Sequence, residues 1–234
     1  MQTPVLAFDV YGTLVDTQGV VSTLSSRIGE DAVAFANRWR DKQLEFAFRR
    51  GLMGAYADFS QCKREALDLV DQEWGTRFGE EFKQSLMAAY RRLPAFSDVP
   101  EALERIRAMG VRCVAFSNGS RQSVEMLFDN AGLRAMFDDI ISVEEVRRFK
   151  PDAAVYAYLR QRTHSRPDNT WLVSSNTFDI IGSRYAGLRA AWIQRNPKTP
   201  FESWGDPPDM MAPDLKALAD QFQVILKREE RLQR

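Results

Sequence analysis

With 234 residues and 44% hydrophobic side chains, the chain exceeds one small domain but falls short of two, which predicts a globular domain with a sizeable insertion. Lysine plus arginine and aspartate plus glutamate number 32 each, so no net charge favours binding to nucleic acid or to a membrane. The absence of an apolar stretch near ~20 residues, of a basic leader segment and of closely spaced cysteines predicts a cytoplasmic protein with reduced thiols.

The first predicted element is a strand, VLAFDV at residues 5–10, whose continuous apolar run is typical of a strand buried on both faces. Residues 16–90 then have a different character: helix formers dominate, turn residues become rare and no strand is evident. Long helices are predicted in DAVAFANRWRDKQLEFAFRR and in EEFKQSLMAAYRRL, and the proline-punctuated stretch LPAFSDVP ends this helical block.

Strands and helices alternate in the rest of the chain. The strand segments are VRCVAFS, DDIISV, TWLVSS and AAWIQ, and the helical segments are PEALERIRAMG, SRQSVEMLFDNAG, PDAAVYAYLRQR and TFDIIGSRYAG. Such alternation is typical of a parallel sheet with helices on both faces. We therefore predict an α/β fold with a Rossmann-like parallel sheet core, formed by residues 1–15 and 97–234, and an inserted helical domain at residues 16–96.

Polar residues follow the ends of several predicted strands. Right-handed crossovers bring the carboxyl ends of parallel strands to one edge of the sheet, where ligands bind. The residues expected at this edge are Asp9, Thr13, Ser117, Asn118, Lys150, Ser174, Asn176 and Asp179. Because they come from widely separated segments, their convergence predicts one functional site.

The individual residues at this edge allow different interpretations. Asp9 is either a carboxylate bound by its own turn or a nucleophile aimed by that turn. Ser117–Gly119 either caps a helix or binds an anion at the helix start. Lys150 indicates function more strongly, because a cation before a helix start opposes the helix dipole unless carboxylates face it. Asp16 is predicted to be only a helix N-cap, and His164, the single histidine, a surface residue, so no histidine base is available.

Arg40 interrupts an apolar stripe of the inserted block. At helical spacing it shares a face with Val33, Ala36, Leu44 and Phe48, and no carboxylate lies three or four residues away. Its guanidinium either reaches solvent or binds an anion brought by a ligand, and the pattern alone leaves both open.

The motifs resemble those of a known family. FDVYGTL, FSNGS, the lysine of FKPD and VSSNTFD are similar to the four sequence motifs of the haloacid dehalogenase superfamily, and the inserted helices resemble its cap domain. Most members are phosphatases, with a second aspartate two residues after the nucleophile and an acidic magnesium ligand in the fourth motif. Here Tyr11 and Ser174-Ser175 stand at those positions. Chloride and bromide leave without a proton and a monoanionic acid needs no divalent ion, so both departures favour a dehalogenase without a metal or other cofactor.

Within the superfamily, the chain is most similar to the L-2-haloacid dehalogenase branch (type II). The shared patterns include segments of the inserted helices, here WRDKQLEF and LMGAYADF. Asp41 stands where the branch tends to have glutamine, and Phe178 where it tends to have tryptophan. These departures bear on substrate range and halide preference more than on the type of reaction.

The resemblance implies hydrolysis of (S)-2-haloalkanoic acids to (R)-2-hydroxyalkanoic acids in two steps. Asp9 would attack C2 and form an aspartyl ester, with Lys150 orienting its carboxylate. Water positioned by Asp179, Ser174 and Asn176 would then hydrolyse the ester, with inversion at C2 as the overall result. The other implied residues are Arg40 and Asn118 for the halide, Ser117 for the carboxylate, Tyr11, Leu44, Phe59 and Phe178 for an apolar wall, Val10 for substrate binding, and Thr13 and Tyr156 in support.

Two other interpretations stay open at this point. One is a phosphatase of the same superfamily with an atypical metal site, against which the missing acids at Tyr11 and Ser175 speak. The other is a non-catalytic binding protein. The expected partner is a small 2-haloacid, and the aromatic stretch FAFRRGLMGAYADF indicates either a homodimer interface or the core of the inserted helices.

Overall fold

The computed structural model describes residues 3–202 and 204–232, so the outermost residues of the predicted core domain lie outside the described part. Its strands are β1 (Val5–Phe8), β2 (Arg112–Ser117), β3 (Asp139–Ser142), β4 (Thr170–Ser174), β5 (Arg189–Ile193) and β6 (Met210–Ala212). They form one fully parallel sheet in the order β3-β2-β1-β4-β5-β6. The predicted α/β class with a parallel sheet is confirmed.

Helices occupy both the insertion and the connections between strands. The inserted helices are α1 (Val21–Ile28), α2 (Ala32–Met53), α3 (Phe59–Trp74) and α4 (Glu80–Ala89), and the later ones are α5 (Val99–Ala108), α6 (Arg121–Ala131), α7 (Ala153–Thr163), α8 (Thr177–Tyr185) and α9 (Leu215–Leu232). Every strand and helix predicted above is present. The terminal glycine signals also hold, since Gly132 ends α6 with a φ of 69°, which favours glycine.

The sequence interpretation omitted β6 and α9. β6 has only three residues, too few for a periodic signal. α9 packs Leu215, Leu218, Ala219 and Phe222 into the main core. This spacing is that of an amphipathic helix, so the signal for α9 was present in the sequence.

The insertion leaves and rejoins the sheet at neighbouring points. Val15 pairs with Ala95 in an isolated antiparallel bridge, so the two connections lie side by side. Asp16 accepts a hydrogen bond from the backbone N–H of Gln18 and caps the short 3-10 turn that leads into α1, which confirms its predicted role as an N-cap. The domain bounds at 16 and 96 remain a prediction.

The strand order determines where the site lies. β1 is central, and Phe8, its last residue, is in register with Ala115 of β2 and Val173 of β4. The loops that follow these three strands therefore meet at one edge of the sheet, at the point where the strand order reverses. No helix within residues 3–202 and 204–232 is long and apolar enough to cross a membrane.

Candidate active site

Asp9, the first residue after β1, has both carboxylate oxygens held by side-chain donors. Thr13 Oγ1 and Asn176 Nδ2 each donate to Asp9 Oδ2 at 2.8 Å, and Lys150 Nζ donates to Oδ1 at 3.2 Å. Two of the three donors lie outside the turn that follows β1. The Asp9 side chain is 10% exposed, so its carboxylate is fixed in orientation and still open to a small ligand. This arrangement favours a nucleophile over a carboxylate that serves only its own turn.

Lys150 links Asp9 to a second buried carboxylate. Its Nζ lies 2.7 Å from Asp179 Oδ2 and donates to the carbonyl oxygen of Phe116 at 2.8 Å. Tyr156 donates its phenol proton to Asp179 Oδ1 at 2.8 Å. Burial alone would lower the pKa of Lys150, but the charges of Asp179 and Asp9 outweigh burial and raise that pKa. Burial raises the pKa of Asp179, against the opposing effect of Lys150. The carboxylates that the sequence predicted opposite Lys150 are therefore present, and they are Asp9 and Asp179.

The serine and asparagine turns after β2 and β4 are held by their own backbones. Ser117 Oγ accepts from the N–H of Gly119 at 3.0 Å, and Ser174 Oγ accepts from the N–H of Asn176 at 3.1 Å. Asn118 Oδ1 accepts from the backbone N–H of Lys150 at 3.0 Å. This bond ties the β2 loop to the lysine loop and turns the amide Nδ2 group of Asn118 away from Lys150.

Arg40 lies on α2, one of the inserted helices. Its guanidinium carbon is 5.9 Å from the centre of the Phe59 ring, and its Nη1 atom is buried without a hydrogen-bond partner. The positive charge of Arg40 lowers the pKa of both Tyr11 and Tyr90, although burial keeps each pKa above its ordinary value. A buried nitrogen without a partner is costly. It favours the anion-binding interpretation over a guanidinium that reaches solvent.

The family is decided by comparison with known proteins. A family model described as haloacid dehalogenase-like hydrolase matches residues 3–187. This chain belongs to the haloacid dehalogenase-like hydrolases. The match spans β1, the inserted helices and the loops that carry Asp9, Lys150 and Asp179.

Relatives of this hydrolase include dehalogenases of known structure. The (S)-2-haloacid dehalogenase of Pseudomonas sp. (strain YL) is 34% identical over 226 residues, which cover 97% of each chain. The L-2-haloacid dehalogenase of Xanthobacter autotrophicus is 30% identical and superposes with a TM-score of 0.89, covering 95% of this chain and 99% of its own. The same enzyme with chloropropionic acid covalently bound gives a TM-score of 0.88 at the same identity and coverage.

The residues of the predicted apolar wall fall into two sets of contacts in this hydrolase. The Tyr11 and Phe59 rings lie 6.5 Å apart, and Leu44 packs against the cluster that contains Phe59. Phe178 instead meets Phe48 edge to face at 5.1 Å and lines an open cavity of about 580 Å³ that also reaches Lys150. Val10 is fully buried, with its side chain in the main core.

Ser175 is a supporting residue that sequence reasoning noted only for its missing charge. Its backbone N–H donates to Thr13 Oγ1 at 2.9 Å, and its hydroxyl donates to the carbonyl oxygen of Gly12 at 2.8 Å. Arg195 donates to the carbonyl oxygen of Thr13 at 2.7 Å. These bonds lock the hydroxyl that holds Asp9. Arg195 carried no motif, and only the fold brings it to this turn.

Lys63 is a further cation, besides Arg195, that the sequence interpretation missed. It lies on α3, is 4% exposed, and its ammonium is 5.5 Å and 4.9 Å from the centres of the Tyr11 and Tyr90 rings. The available signal was the one that marked Arg40. Lys63 interrupts a buried stripe at helical spacing that includes Phe59 and Ala66.

Three residues singled out in the sequence are exposed. Val33, assigned to the apolar stripe of α2, is 51% exposed, whereas Ala36 on the same stripe is 3% exposed. Asp41, the departure beside Arg40, is exposed, so its charge is directed to solvent. His164 is exposed at the end of α7, as predicted.

The two carboxylates of the site form ion pairs with the same lysine. Asp9 and Asp179 share the Lys150 ammonium, at 3.2 Å and 2.7 Å. Among the described residues, no group of three or more His, Cys, Asp or Glu side chains is arranged to hold a metal ion.

Proposed function

We propose that this protein hydrolyses (S)-2-haloalkanoic acids to (R)-2-hydroxyalkanoic acids through an ester on Asp9. The observation that carries the proposal is an oriented Asp9 carboxylate and an unpaired, buried Arg40 nitrogen, whose charges both act on the Tyr11 phenol, with no acid at position 11 to protonate a leaving group. Tyr11 stands where such an acid would be, and burial raises the pKa of its phenol. A leaving group that needs no proton, such as chloride, fits these residues.

In the first step, an Asp9 oxygen forms a bond to C2 while the carbon–halogen bond breaks and its electron pair leaves with the halide. Arg40 and the amide of Asn118 stabilise the departing anion, as preorganised donors do for charge that develops in a transition state. Ser117 and the neighbouring backbone hold the substrate carboxylate. Attack opposite the halide inverts C2.

In the second step, water adds to the carboxyl carbon of the Asp9 ester. Asp179, Ser174 and Asn176 position this water, and the raised pKa of Asp179 makes its carboxylate a better acceptor for the water proton. The ester C–O bond on the enzyme side breaks, Asp9 regains its carboxylate, and the 2-hydroxy acid leaves with one proton released. Thr13 and Tyr156 hold Asp9 and Asp179 in place throughout.

The relatives support the dehalogenase over the phosphatase of the same superfamily. The Pseudomonas relative is named an (S)-2-haloacid dehalogenase, and the Xanthobacter enzyme has been captured with chloropropionic acid covalently bound. A covalent adduct is what an ester route requires. The phosphatase has no comparable support, because residues 11 and 175 are not acids.

The proposal is tested by chloride release from (S)-2-chloropropionate, with the (R) enantiomer as the matched control. We expect turnover of the (S) form, (R)-lactate as the product, and rates that EDTA or added magnesium leaves unchanged. An aryl phosphate is measured in parallel. Magnesium-dependent phosphate release without chloride release would support the phosphatase and overturn the proposal.

Replacing Arg40 by alanine is expected to lower kcat for chloride release by on the order of 10²–10³, because an aimed electrostatic group is removed. Arg38→Ala is the matched control, since Arg38 lies on the same helix and forms only an exposed pair with Glu73. Both variants are melted alongside the parent. An Arg40→Ala variant that folds and turns over like Arg38→Ala would mean that the guanidinium serves no anion.

We further propose a cytoplasmic location and a homodimer. The location is supported by Cys62 and Cys113, which are buried and unpaired, as is usual for reducing compartments. The dimer is supported by Leu52 and Met53, which end α2 with exposures of 90% and 70%. The aromatic residues of the same stretch contribute to the protein's own packing, for example Phe59 against Tyr11.

A further inference from the structure

Lys63 is a buried cation that neither step of the proposed reaction uses. Its side chain extends from α3 toward the rings of Tyr11 and Tyr90, and the residue is 4% exposed. Within the described part of the chain, the Lys63 ammonium has no ion pair and no hydrogen bond, and it lies over the Tyr11 and Tyr90 rings. The two tyrosine faces compensate only part of the desolvation of the charge.

The charged groups around Lys63 are predominantly positive. Burial, followed by the charges of Arg40 and Arg91, lowers the pKa of Lys63 to about 8, while only Asp58 acts in the opposite direction. Lys83, another lysine of the inserted helices, provides the contrast. It pairs with Asp68 and Asp71 at 2.8 Å and 2.7 Å, and its pKa is raised.

The charges of the site leave one cation without an assigned partner. Asp9 and Asp179, which share the Lys150 ammonium, together carry one more negative charge than Lys150. Arg40 offsets that excess and serves the halide, so Lys63 is the cation to which no anion is assigned. A monocarboxylate substrate uses Ser117 and the backbone for its carboxylate and Arg40 for its halide. Lys63, which is 4% exposed, would then have no anionic partner, which is unfavourable.

We propose that Lys63 forms a second carboxylate subsite, so that the preferred substrates are 2-halodicarboxylates such as (S)-2-chlorosuccinate. This inference rests on the proposed function. Carbon 2 and its carboxylate occupy the site beside Asp9, and the distal carboxylate binds the Lys63 ammonium next to the Tyr11 ring. The chemistry is unchanged: the C2–Cl bond breaks, Asp9 forms the ester, and water releases (R)-2-hydroxysuccinate, chloride and one proton.

The test compares kcat/KM for (S)-2-chlorosuccinate with kcat/KM for (S)-2-chloro-4-methylpentanoate, whose branched end has the shape of the distal carboxylate without its charge. We expect the parent to prefer the dicarboxylate. Lys63→Met is expected to lower the ratio of the two values by about 30-fold or more, because a buried charge pair with substrate is lost. Lys63→Arg is expected to restore most of the ratio, and Lys83→Met, the matched control, to leave it unchanged.

The pH dependence of this ratio separates binding by charge from a merely structural role. kcat/KM reports ionisations of the free enzyme. The parent ratio is therefore expected to fall as pH rises through about 8, where Lys63 loses its proton beside Arg40, Arg91, Tyr11 and Tyr90, with Asp58 alone opposing. The ratio of Lys63→Met is expected to be flat over the same range. Lys63→Gln serves as a second uncharged variant if the methionine variant does not fold.

The outcomes distinguish this inference from the function on which it rests. A ratio that Lys63→Met and Lys63→Gln leave unchanged overturns the second subsite, while chloride release from both substrates still supports the dehalogenase. An equal fall for both substrates also overturns it, because Lys63 would then serve the shared halide or carboxylate. Absence of chloride release from every 2-haloacid overturns both proposals.

Discussion

Replacing Asp9 by asparagine is expected to lower chloride release by on the order of 10⁴-fold or more, the usual loss when a nucleophile is removed. An asparagine at this position still accepts from Thr13 but offers no anionic oxygen to C2. The fold is expected to persist, because Lys150 keeps Asp179 as a partner at 2.7 Å. Rates are compared at saturating (S)-2-chloropropionate, with melting curves for both proteins.

Asp16→Asn is the matched control, because it makes the same chemical change in the same connection. Asp16 accepts from the Gln18 N–H at 2.9 Å, and asparagine is as good an N-cap as aspartate. Its activity is therefore expected to equal that of the parent. An Asp9→Asn variant that turns over as well would show that Asp9 only structures its turn.

Oxygen labelling then distinguishes a nucleophilic Asp9 from one that activates water for direct attack. With enzyme in excess over substrate in ¹⁸O water, the ester route leaves the label on Asp9, because water adds to the aspartyl carbonyl. The hydroxy acid of that first turnover carries an old Asp9 oxygen and is nearly unlabelled. Label in the product with none in the Asp9 peptide would assign Asp9 the role of general base.

Replacing Lys150 by methionine is expected to lower the free energy of unfolding by about 3–5 kcal/mol at neutral pH. The variant leaves Asp9 and Asp179 close together in a site where Asp179 is fully buried, with no cation between them. Activity is expected to be lost too, since Asp9 loses one of its three donors. Urea unfolding at pH 5 and pH 7.5 measures the stability change.

The sign of the pH dependence follows from Asp179. Burial already raises its pKa above 3.8, and removal of Lys150 raises it further. The folded variant therefore keeps a proton that the unfolded chain loses near pH 4, so its stability falls as pH rises. The deficit is expected to be larger at pH 7.5 than at pH 5. The double variant Lys150→Met/Asp179→Asn is expected to recover stability, and no recovery would place the loss in packing instead of charge.

Much of this arrangement was predictable because its signals are local. The apolar run before Asp9 specifies a strand buried on both faces, and alternating strand and helix patterns specify the parallel sheet. Parallel strands bring their carboxyl ends to one edge, so Asp9, Lys150 and Asp179 were expected to meet there, and they do. The cation before the start of α7 and the missing acid at Tyr11 were likewise local departures with a chemical meaning.

The tertiary structure decided what these residues contact. Periodicity identified Arg40 as a cation in an apolar stripe but left its end open to solvent or ligand. Only the packing of α2 against Phe59 buries its Nη1 atom without a partner. Lys63 carried the same signal, yet its importance depends on which carboxylates fail to reach it, and that is a property of the whole assembly. Sequence patterns fix the face on which a side chain lies, whereas burial and charge depend on residues that are distant in the chain and meet only in the folded protein.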